Sequence, residues 1–334
     1  MNIKVSDLKK FKTYSSHVEG NGVLPIQNCL KFGKGMIQKE VTSSFIKFDC
    51  PEAKEEILVD EKVLYCLVNA TASDVISITH KNGKTIISDK LDTIPMPVPE
   101  VSLFVDIATE DMEKIPLSSE FLDALGSAAR VCNAMGNIPD KYMYVMVGNK
   151  CVTGISISYG YCRIIEEDVV MSLEKKTAIF LSRSNASACS VTESHYIFYT
   201  ESATIGFAKH VIGYGDFGKS LRADPGELTF TASNSDIQSF NSLAISLAPN
   251  PEVTLTTKGT LEMYDSEKEI SQDRSINIKA LEDFRYLPSY MNSVLSALGD
   301  EELDFYQKPN MLIIKSKDTN ATAAIGKIQK LNNK

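Results

Sequence analysis

The sequence contains no apolar run approaching the ~20 residues that a membrane-spanning helix needs. Its first residues, Met1 to Lys4, lead directly into polar sequence without the apolar core of a secretory signal. We therefore expect a cytosolic protein, in a bacterium or in the host cell of a virus. With 334 residues and 43% hydrophobic positions, the chain can bury substantial cores and is expected to form two or three domains.

Paired cysteines and an excess of positive charge are also lacking. The seven cysteines are scattered, odd in number and include no C-x-x-C, which excludes a disulfide scaffold or a zinc ribbon and favours reduced thiols that pack as small hydrophobes. Lys and Arg number 35 against 43 Asp and Glu, a net charge of −8. Such a chain does not coat nucleic acid over its whole surface, although a basic face within an acidic whole remains open.

The sequence repeats itself at long range. Residues 3–12 (IKVSDLKKFK) and 276–285 (INIKALEDFR) both place two alternating apolar residues before apolar residues at helical spacing, and weaker copies begin near 57, 115, 169 and 228. The starts at 3, 115 and 228 lie 112 and 113 residues apart. We therefore predict three domains, 1–108, 109–222 and 223–334, with helices over 6–18, 61–69, 118–132, 173–184, 236–247 and 279–298. Ser118 is the expected N-cap of the third helix.

Strand-rich sequence follows each predicted helix. Asn82-Gly83 stands between two alternating runs and is the strongest hairpin signal, with similar turns expected at Gly148-Asn149, Lys258-Gly259 and Pro309-Asn310. Each unit is thus predicted to be a strand, a helix and several antiparallel strands. Two such units make an α+β domain with a helix pair over a sheet.

The patterns that could carry catalysis each have a structural explanation. The helix that a dinucleotide site requires is not expected after G-x-G-x-x-G at 213–218, because Pro225 and Gly226 follow within eight residues, which favours a flexible domain linker. The four histidines show no metal-binding spacing, and neighbours in Glu193-Ser194-His195 would point to opposite faces of a strand. We predict no catalytic residue, no metal and no cofactor, and hence not an enzyme.

Three segments, in this order and spacing, resemble the bacterial-type DNA polymerase III beta sliding clamp family: Val23–Leu30, Phe207–Phe217, and Tyr290–Leu298 leading into Glu302–Tyr306. The resemblance covers essentially the whole chain. It implies three clamp domains with sheets outside and helices inside, closing as a homodimer ring around double-stranded DNA without reading its sequence. It also implies that DNA polymerase and clamp loader bind through short peptide motifs. The unusual turn at Ser158–Ile164 and the replaced C-terminal end at Ala324–Ile328 indicate a divergent clamp, bacterial or viral.

Basic residues concentrate on two predicted helices. A cationic helix face suits phosphates, and the resemblance implies that such helices line the hole of the ring; the alternative is an ordinary solvated face. The predicted helix 236–247 carries no Lys or Arg. The residues predicted to face DNA are Lys9, Lys10, Lys12, Lys175, Lys176 and Arg183.

The resemblance further implies a peptide pocket between domains two and three. Carried over to this sequence, the pocket residues are Gly160, Tyr161, Ile164, Phe217, Arg222 and Ile325. The alternative is that Tyr161, Ile164 and Ile325 fill an interdomain core. For function as a whole, the alternatives are a repeated-domain scaffold that binds only proteins and an enzyme with an unrecognised site.

Overall fold

The computed structural model describes residues 1–18, 28–41, 44–97, 112–133, 139–210, 218–265, 270–276 and 278–328. The chain divides into two compact units, one formed by Met1–Leu117 with Ser184–Lys209 and the other by Ser118–Arg183 with His210–Lys334. Within the described ranges, no helix is long and apolar enough to cross a membrane. Helices and strands are numbered along the whole chain.

The first unit has two antiparallel sheets, of four and eight strands, with strand orders β1-β6-β7-β8 and β5-β2-β3-β4-β16-β15-β14-β9. Its helices are α1 (Val5–Ser15) and α2 (Glu61–Ala70). Its strands are β1 (Asn2–Lys4), β2 (Cys29–Gly33), β3 (Met36–Val41), β4 (Ser44–Asp49), β5 (Ile57–Asp60), β6 (Val75–Lys81), β7 (Lys84–Ser88), β8 (Thr93–Pro97), β9 (Ile115–Pro116), β14 (Ala188–Val191), β15 (His195–Tyr199) and β16 (Ala203–Ala208).

An apolar stripe along one side of helix α1 positions the helix against the core. Val5, Leu8 and Phe11 recur at helical spacing and are all buried. The Phe11 ring packs edge-on against Phe48 of β4, with ring centroids 5.8 Å apart. One face of α1 therefore packs against the core, and the lysines of the helix lie on its exposed face.

The second unit repeats this plan with sheet orders β20-β19-β18-β21 and β13-β10-β11-β12-β24-β23-β22-β17. Its helices are α3 (Ser119–Val131), α4 (Lys175–Leu181), α5 (Gly218–Arg222), α6 (Asn234–Leu247) and α7 (Pro288–Leu298). Its strands are β10 (Tyr144–Gly148), β11 (Cys151–Ile155), β12 (Tyr159–Ile164), β13 (Met171–Glu174), β17 (Phe230–Ser233), β18 (Val253–Leu255), β19 (Thr260–Asp265), β20 (Ile270–Ser275), β21 (Phe284–Tyr286), β22 (Glu302–Lys308), β23 (Met311–Ser316) and β24 (Ala321–Gly326).

Both eight-stranded sheets are formed by joining two groups of four strands. In the first unit β4 pairs with β16, with Ile46 opposite Ile205. In the second, β12 pairs with β24, with Gly160 opposite Ala324. Each sheet is therefore completed by strands far apart in the sequence. The predicted boundaries at 108/109 and 222/223 remain a prediction.

Local signals in the sequence are confirmed at several elements. The hydroxyl of Ser118 accepts a hydrogen bond from the Phe121 amide at 3.1 Å and caps α3. Asn82 and Gly83 have φ values of 52° and 72° in the hairpin between β6 and β7, as a two-residue primed turn requires.

The helix predicted over 279–298 is wrong in its first half. Phe284 to Tyr286 form β21, which pairs with β18, and the helix begins only at Pro288. Proline fits the first turn of a helix because the amide it lacks would have no partner there. The apolar spacing of Leu281 and Phe284 imitates a helix, yet Leu281 is 71% exposed.

Close packing of α3 on β11 yields a stability prediction. A Cβ atom at Gly154 would lie 2.2 Å from the Ala128 carbonyl oxygen, whereas one at Gly148 meets no atom within 4 Å. We expect Gly154→Ala to lower the free energy of unfolding by about 1–3 kcal/mol and Gly148→Ala to change it by less than about 0.5 kcal/mol. Chemical denaturation of both variants measures the difference, and equal stabilities would contradict the packing described.

Candidate nucleic-acid interface and partner surface

The three predicted lysines of α1 are exposed and lie in the first unit. Lys10 Nζ lies 5.9 Å from the centroid of the Phe48 ring, and Lys12 Nζ lies 4.8 Å from that of Tyr65. Each of these two ammonium groups thus lies within cation–π range of an aromatic ring while its residue stays exposed. The α1 face can therefore offer three positive charges to a polyanion.

The predicted basic residues around α4 differ from one another. Lys175 is half-buried and its Nζ donates a 2.6 Å hydrogen bond to the Cys132 carbonyl. Lys176 is exposed and lies 3.8 Å from a Glu174 carboxylate oxygen. Arg183 is exposed but follows the last residue of α4, which ends at Leu181. Lys176 and Arg183 thus remain at the surface, whereas Lys175 serves the internal structure.

Two arginines that the sequence pattern does not single out also reach helices of the second unit. Arg274 of β20 donates to the Asp236 carbonyl at 3.0 Å and to the Ser239 hydroxyl, and so brings a positive charge to α6, which has none of its own. Arg130 of α3 donates at 2.6 Å to the Ser296 carbonyl of α7. Only a three-dimensional structure reveals the first of these, because Arg274 lies outside any helix.

An open pocket of about 560 Å³ lies beside α2 in the first unit. Its charged lining is mixed, with two lysines and two carboxylates, so it favours neither an anion nor a cation. In the described ranges there is also no cluster of three or more His, Cys, Asp or Glu residues that could hold a metal ion. The pocket is lined by Lys12, Asn28, Asp60, Glu61, Lys62, Tyr65, Cys66 and Asn69.

Strands β12 and β24 pair with each other, and we call this pairing the β12–β24 seam. It places the predicted pocket residues on two faces of the sheet. Successive side chains along a strand point to opposite faces. A Cβ atom at Gly160 would lie 3.5 Å from Leu221 of α5, and Cys162 packs in the same apolar cluster as Leu221. Gly160, Cys162 and Ile164 therefore share the face covered in part by α5. We call this face, with α5, the α5 surface; its residues are Cys151, Gly160, Cys162, Ile164, Leu221, Arg222, Tyr306, Ile313 and Ala324.

The α5 surface carries both apolar and charged groups. Ile164 is 51% exposed, and Arg222, the last residue of α5, is half-buried. Tyr306 is partly buried against the apolar cluster, and Lys315 Nζ lies 5.8 Å from its ring centroid. Phe217, the remaining predicted residue from the linker, lies outside the described ranges. Three of the six predicted residues, Gly160, Ile164 and Arg222, are thus brought together.

Tyr161 and Ile325 lie on the opposite face of this sheet, where α3 and α7 pack. Each is only 1% exposed. The Tyr161 hydroxyl hydrogen-bonds Ser127 of α3, and burial raises the pKa of Tyr161 to about 12. For these two residues the core interpretation fits and a place in the peptide pocket does not, because the sheet itself separates them from the α5 surface.

A scan against protein-family models and a search of curated protein sequences each found no match to this chain. Solved structures do match. A putative DNA polymerase III beta subunit from Eubacterium rectale is 15% identical with a TM-score of 0.83, covering 98% of this chain and 99% of that one. The DNA polymerase III subunit beta from Pseudomonas aeruginosa is 12% identical, with a TM-score of 0.82 and the same coverage.

The chain has the sliding-clamp fold. A third match, the Helicobacter pylori beta clamp bound to a DNA ligase peptide, is 14% identical with a TM-score of 0.80 over 98% of this chain and 99% of that chain. The α+β architecture predicted from the sequence is confirmed by these likenesses over nearly the whole length. The clamp fold is thus shared with these structures at 12–15% sequence identity.

Proposed function

We propose that the protein is a DNA sliding clamp, a processivity factor that encircles duplex DNA and tethers a polymerase. The observation that carries this proposal is the likeness, over 98% of the chain, to DNA polymerase III beta subunits. A clamp acts by topology and positioning, so the proposal includes no covalent chemistry. It also includes a cytoplasmic location, where replication proteins and reduced thiols belong.

Contact with DNA is assigned to the exposed cations on the helices. A duplex presents one phosphate charge per ~1.7 Å of its axis, so Lys9, Lys10 and Lys12 of α1 can each approach a phosphate without reading a base. Lys176 and Arg183 are proposed to do the same in the second unit. Few and weak contacts suit sliding, because strong base recognition would hold the ring at one position.

Partner binding is assigned to the α5 surface. Short clamp-binding peptides present a few apolar side chains, which bind to an apolar surface with a polar rim. Ile164, Leu221 and Tyr306 supply the apolar part and Arg222 a charged edge. The ligase peptide on the Helicobacter pylori clamp supports the assignment of a peptide as ligand.

Ring closure requires a second copy of the chain. Among the described strands, β8 and β20 are each at the edge of a four-stranded sheet, with a neighbour on one side only. Pairing such edges between copies satisfies their free backbone groups and closes a head-to-tail ring.

We expect light scattering at micromolar concentration to give particles of two chains. A strictly monomeric protein would count against a ring.

The DNA assignment predicts a salt-dependent defect. We expect Glu substitutions at Lys9, Lys10, Lys12, Lys176 and Arg183 together to weaken DNA binding at low salt. The slope of log K against log salt concentration is negative, and it should become less steep by about 0.9 for each phosphate that the variant no longer neutralises. Lys175 is left intact because its ammonium group supports the Cys132 carbonyl.

A matched control changes the same amount of charge at five exposed lysines outside the helices, Lys54, Lys81, Lys84, Lys90 and Lys258. Titration of labelled duplex at several salt concentrations measures both variants. Equal losses in the two would mean that net charge alone governs binding, and the helix assignment would fail.

The α5 surface predicts a separate defect in partner binding. We expect Ile164→Glu to reduce polymerase stimulation at least tenfold, because a carboxylate placed among apolar contacts loses its hydration on docking. Val170→Glu is the control, since Val170 is 72% exposed in the same unit and lies outside the α5 surface. Primer extension on a long template measures both. Stimulation by Ile164→Glu equal to that of the control would refute the assignment, and no stimulation by the unaltered protein would favour a scaffold role.

A further inference from the structure

A buried lysine in the first unit joins two helices. Lys39 of β3 is 7% exposed, and a lysine is seldom buried so far without a partner. Its Nζ lies 2.9 Å from a carboxylate oxygen of Glu61, the first residue of α2, and donates at 3.2 Å to the carbonyl of Ser15, the last residue of α1. The Ser15 hydroxyl donates to the same carboxylate at 3.2 Å. The ion pair therefore ties the end of α1 to the start of α2.

Glu61 is also part of the wall of the open pocket beside α2. Over the lining residues alone, the charges of this pocket balance, with two lysines against two carboxylates. Lys39 lies behind the lining, and its ammonium group offsets the charge of Glu61. The other carboxylate, Asp60, accepts a hydrogen bond from an amide in the first turn of α2 and caps that helix. With Lys39 counted, Lys12 and Lys62 outweigh the carboxylate that remains.

The two lysines of the pocket come from neighbouring helices, Lys12 from α1 and Lys62 from α2, and both are exposed. Lys12 Nζ lies 4.8 Å from the ring centroid of Tyr65, whose hydroxyl donates at 3.1 Å to the Leu8 carbonyl of α1. Burial, and then the charge of Glu61, raises the pKa of Tyr65. The field of the Glu61 carboxylate thus reaches the ring beside which the Lys12 ammonium group lies.

The shape and charge of the pocket suit a phosphate group. Its volume of about 560 Å³ admits a backbone phosphate of a duplex, and ammonium groups bind phosphates as point charges. Without the ammonium group of Lys39, the Glu61 carboxylate would place an uncompensated negative charge in the wall and repel the phosphate. The sign of the charge in this pocket is therefore set by a residue that does not line it.

We propose that Lys39 is a positioning residue for DNA: it offsets the charge of Glu61, so that Lys12 and Lys62 can bind a backbone phosphate in the pocket beside α2. Lys39 does not touch the phosphate and acts only through Glu61 and the end of α1. The inference rests on the proposed function and adds Lys62 to the cations that contact DNA. An ion pair that serves stability alone predicts different results in the test below.

The first test changes the pair in opposite directions. Glu61→Gln leaves the positive charge of Lys39 unopposed and should tighten duplex binding about two- to threefold, whereas Lys39→Met should weaken it by the same factor. This is the effect of one unit charge about 6–8 Å away at the dielectric constant of water. Titration of labelled duplex, on protein whose fold circular dichroism verifies, measures both variants.

A purely structural role is distinguished by the sign of these changes. Removing either partner of a buried ion pair weakens the fold, so a structural role predicts weaker or unchanged binding in both variants. Either of those results would overturn the proposal. Should Lys39→Met not fold, tighter binding by Glu61→Gln remains the deciding measurement.

A double variant and a matched control complete this test. Lys39→Met/Glu61→Gln restores the balance of charge and should bind duplex as the unaltered protein does. Glu282→Gln removes the same charge from an ion pair of the second unit, in which Lys327 Nζ lies 2.9 Å from the carboxylate, and should not tighten binding. Equal tightening by Glu282→Gln and Glu61→Gln would mean that net charge alone governs binding, and the role of Lys39 would be refuted.

The second test concerns Lys62. In Lys62→Ala the slope of log K against log salt concentration should become less steep by about 0.9, the loss of one phosphate contact. Lys54→Ala removes an exposed lysine outside the helices of the same unit and should leave the slope unchanged. Equal slopes in the two variants would refute the phosphate site.

The outcomes also separate this inference from the proposed function. An unaltered protein that neither binds duplex nor stimulates a polymerase would refute both. An unaltered protein that does both, with variants of Lys39 and Glu61 that bind duplex equally well, would refute only the role of Lys39.

Discussion

Hydrogen bonding between strands distant in sequence is the constraint on which both units depend. Each eight-stranded sheet exists only because β4 meets β16, or β12 meets β24, and without that pairing each group of four strands would end in a row of unpaired backbone groups. The β12–β24 seam also provides the surface on which three helices of the second unit pack. Helices α3 and α7 pack on one of its faces, and α5 packs on the other. The core of the second unit and its candidate partner surface are thus opposite sides of one pairing.

Local chemistry in the sequence was sufficient for much of the fold. The hydroxyl of Ser118, the Asn82-Gly83 dipeptide and the apolar spacing of α1 each act over a few residues, so they could be predicted without tertiary information. The segment 279–298 could not, because the spacing of Leu281 and Phe284 suits a helix as well as a loop followed by a strand. Only the pairing of β21 with β18 decides between them.

The candidate sites likewise divide into features that local sequence predicts and features that depend on tertiary pairing. Exposed lysines on α1 follow from helical periodicity, since Val5, Leu8 and Phe11 fix which face is buried. The partner surface depends on strand alternation, which a motif treated as one continuous turn does not show. The motif therefore groups Tyr161 with residues on the other face of the sheet. Helical periodicity also does not predict the role of Arg274, because its charge reaches α6 from a strand.

The seam has a consequence for the order in which the protein is made. Strand β12 ends at Ile164 and β24 begins at Ala321, so a ribosome adding ~5–20 residues per second completes the pair roughly eight to thirty seconds after β12 is made. During that interval the nascent chain carries an open, apolar strand edge around Gly160 to Cys162. A chaperone that shields this edge, or translation that does not pause before Ala321, would protect the protein from aggregation during its own synthesis.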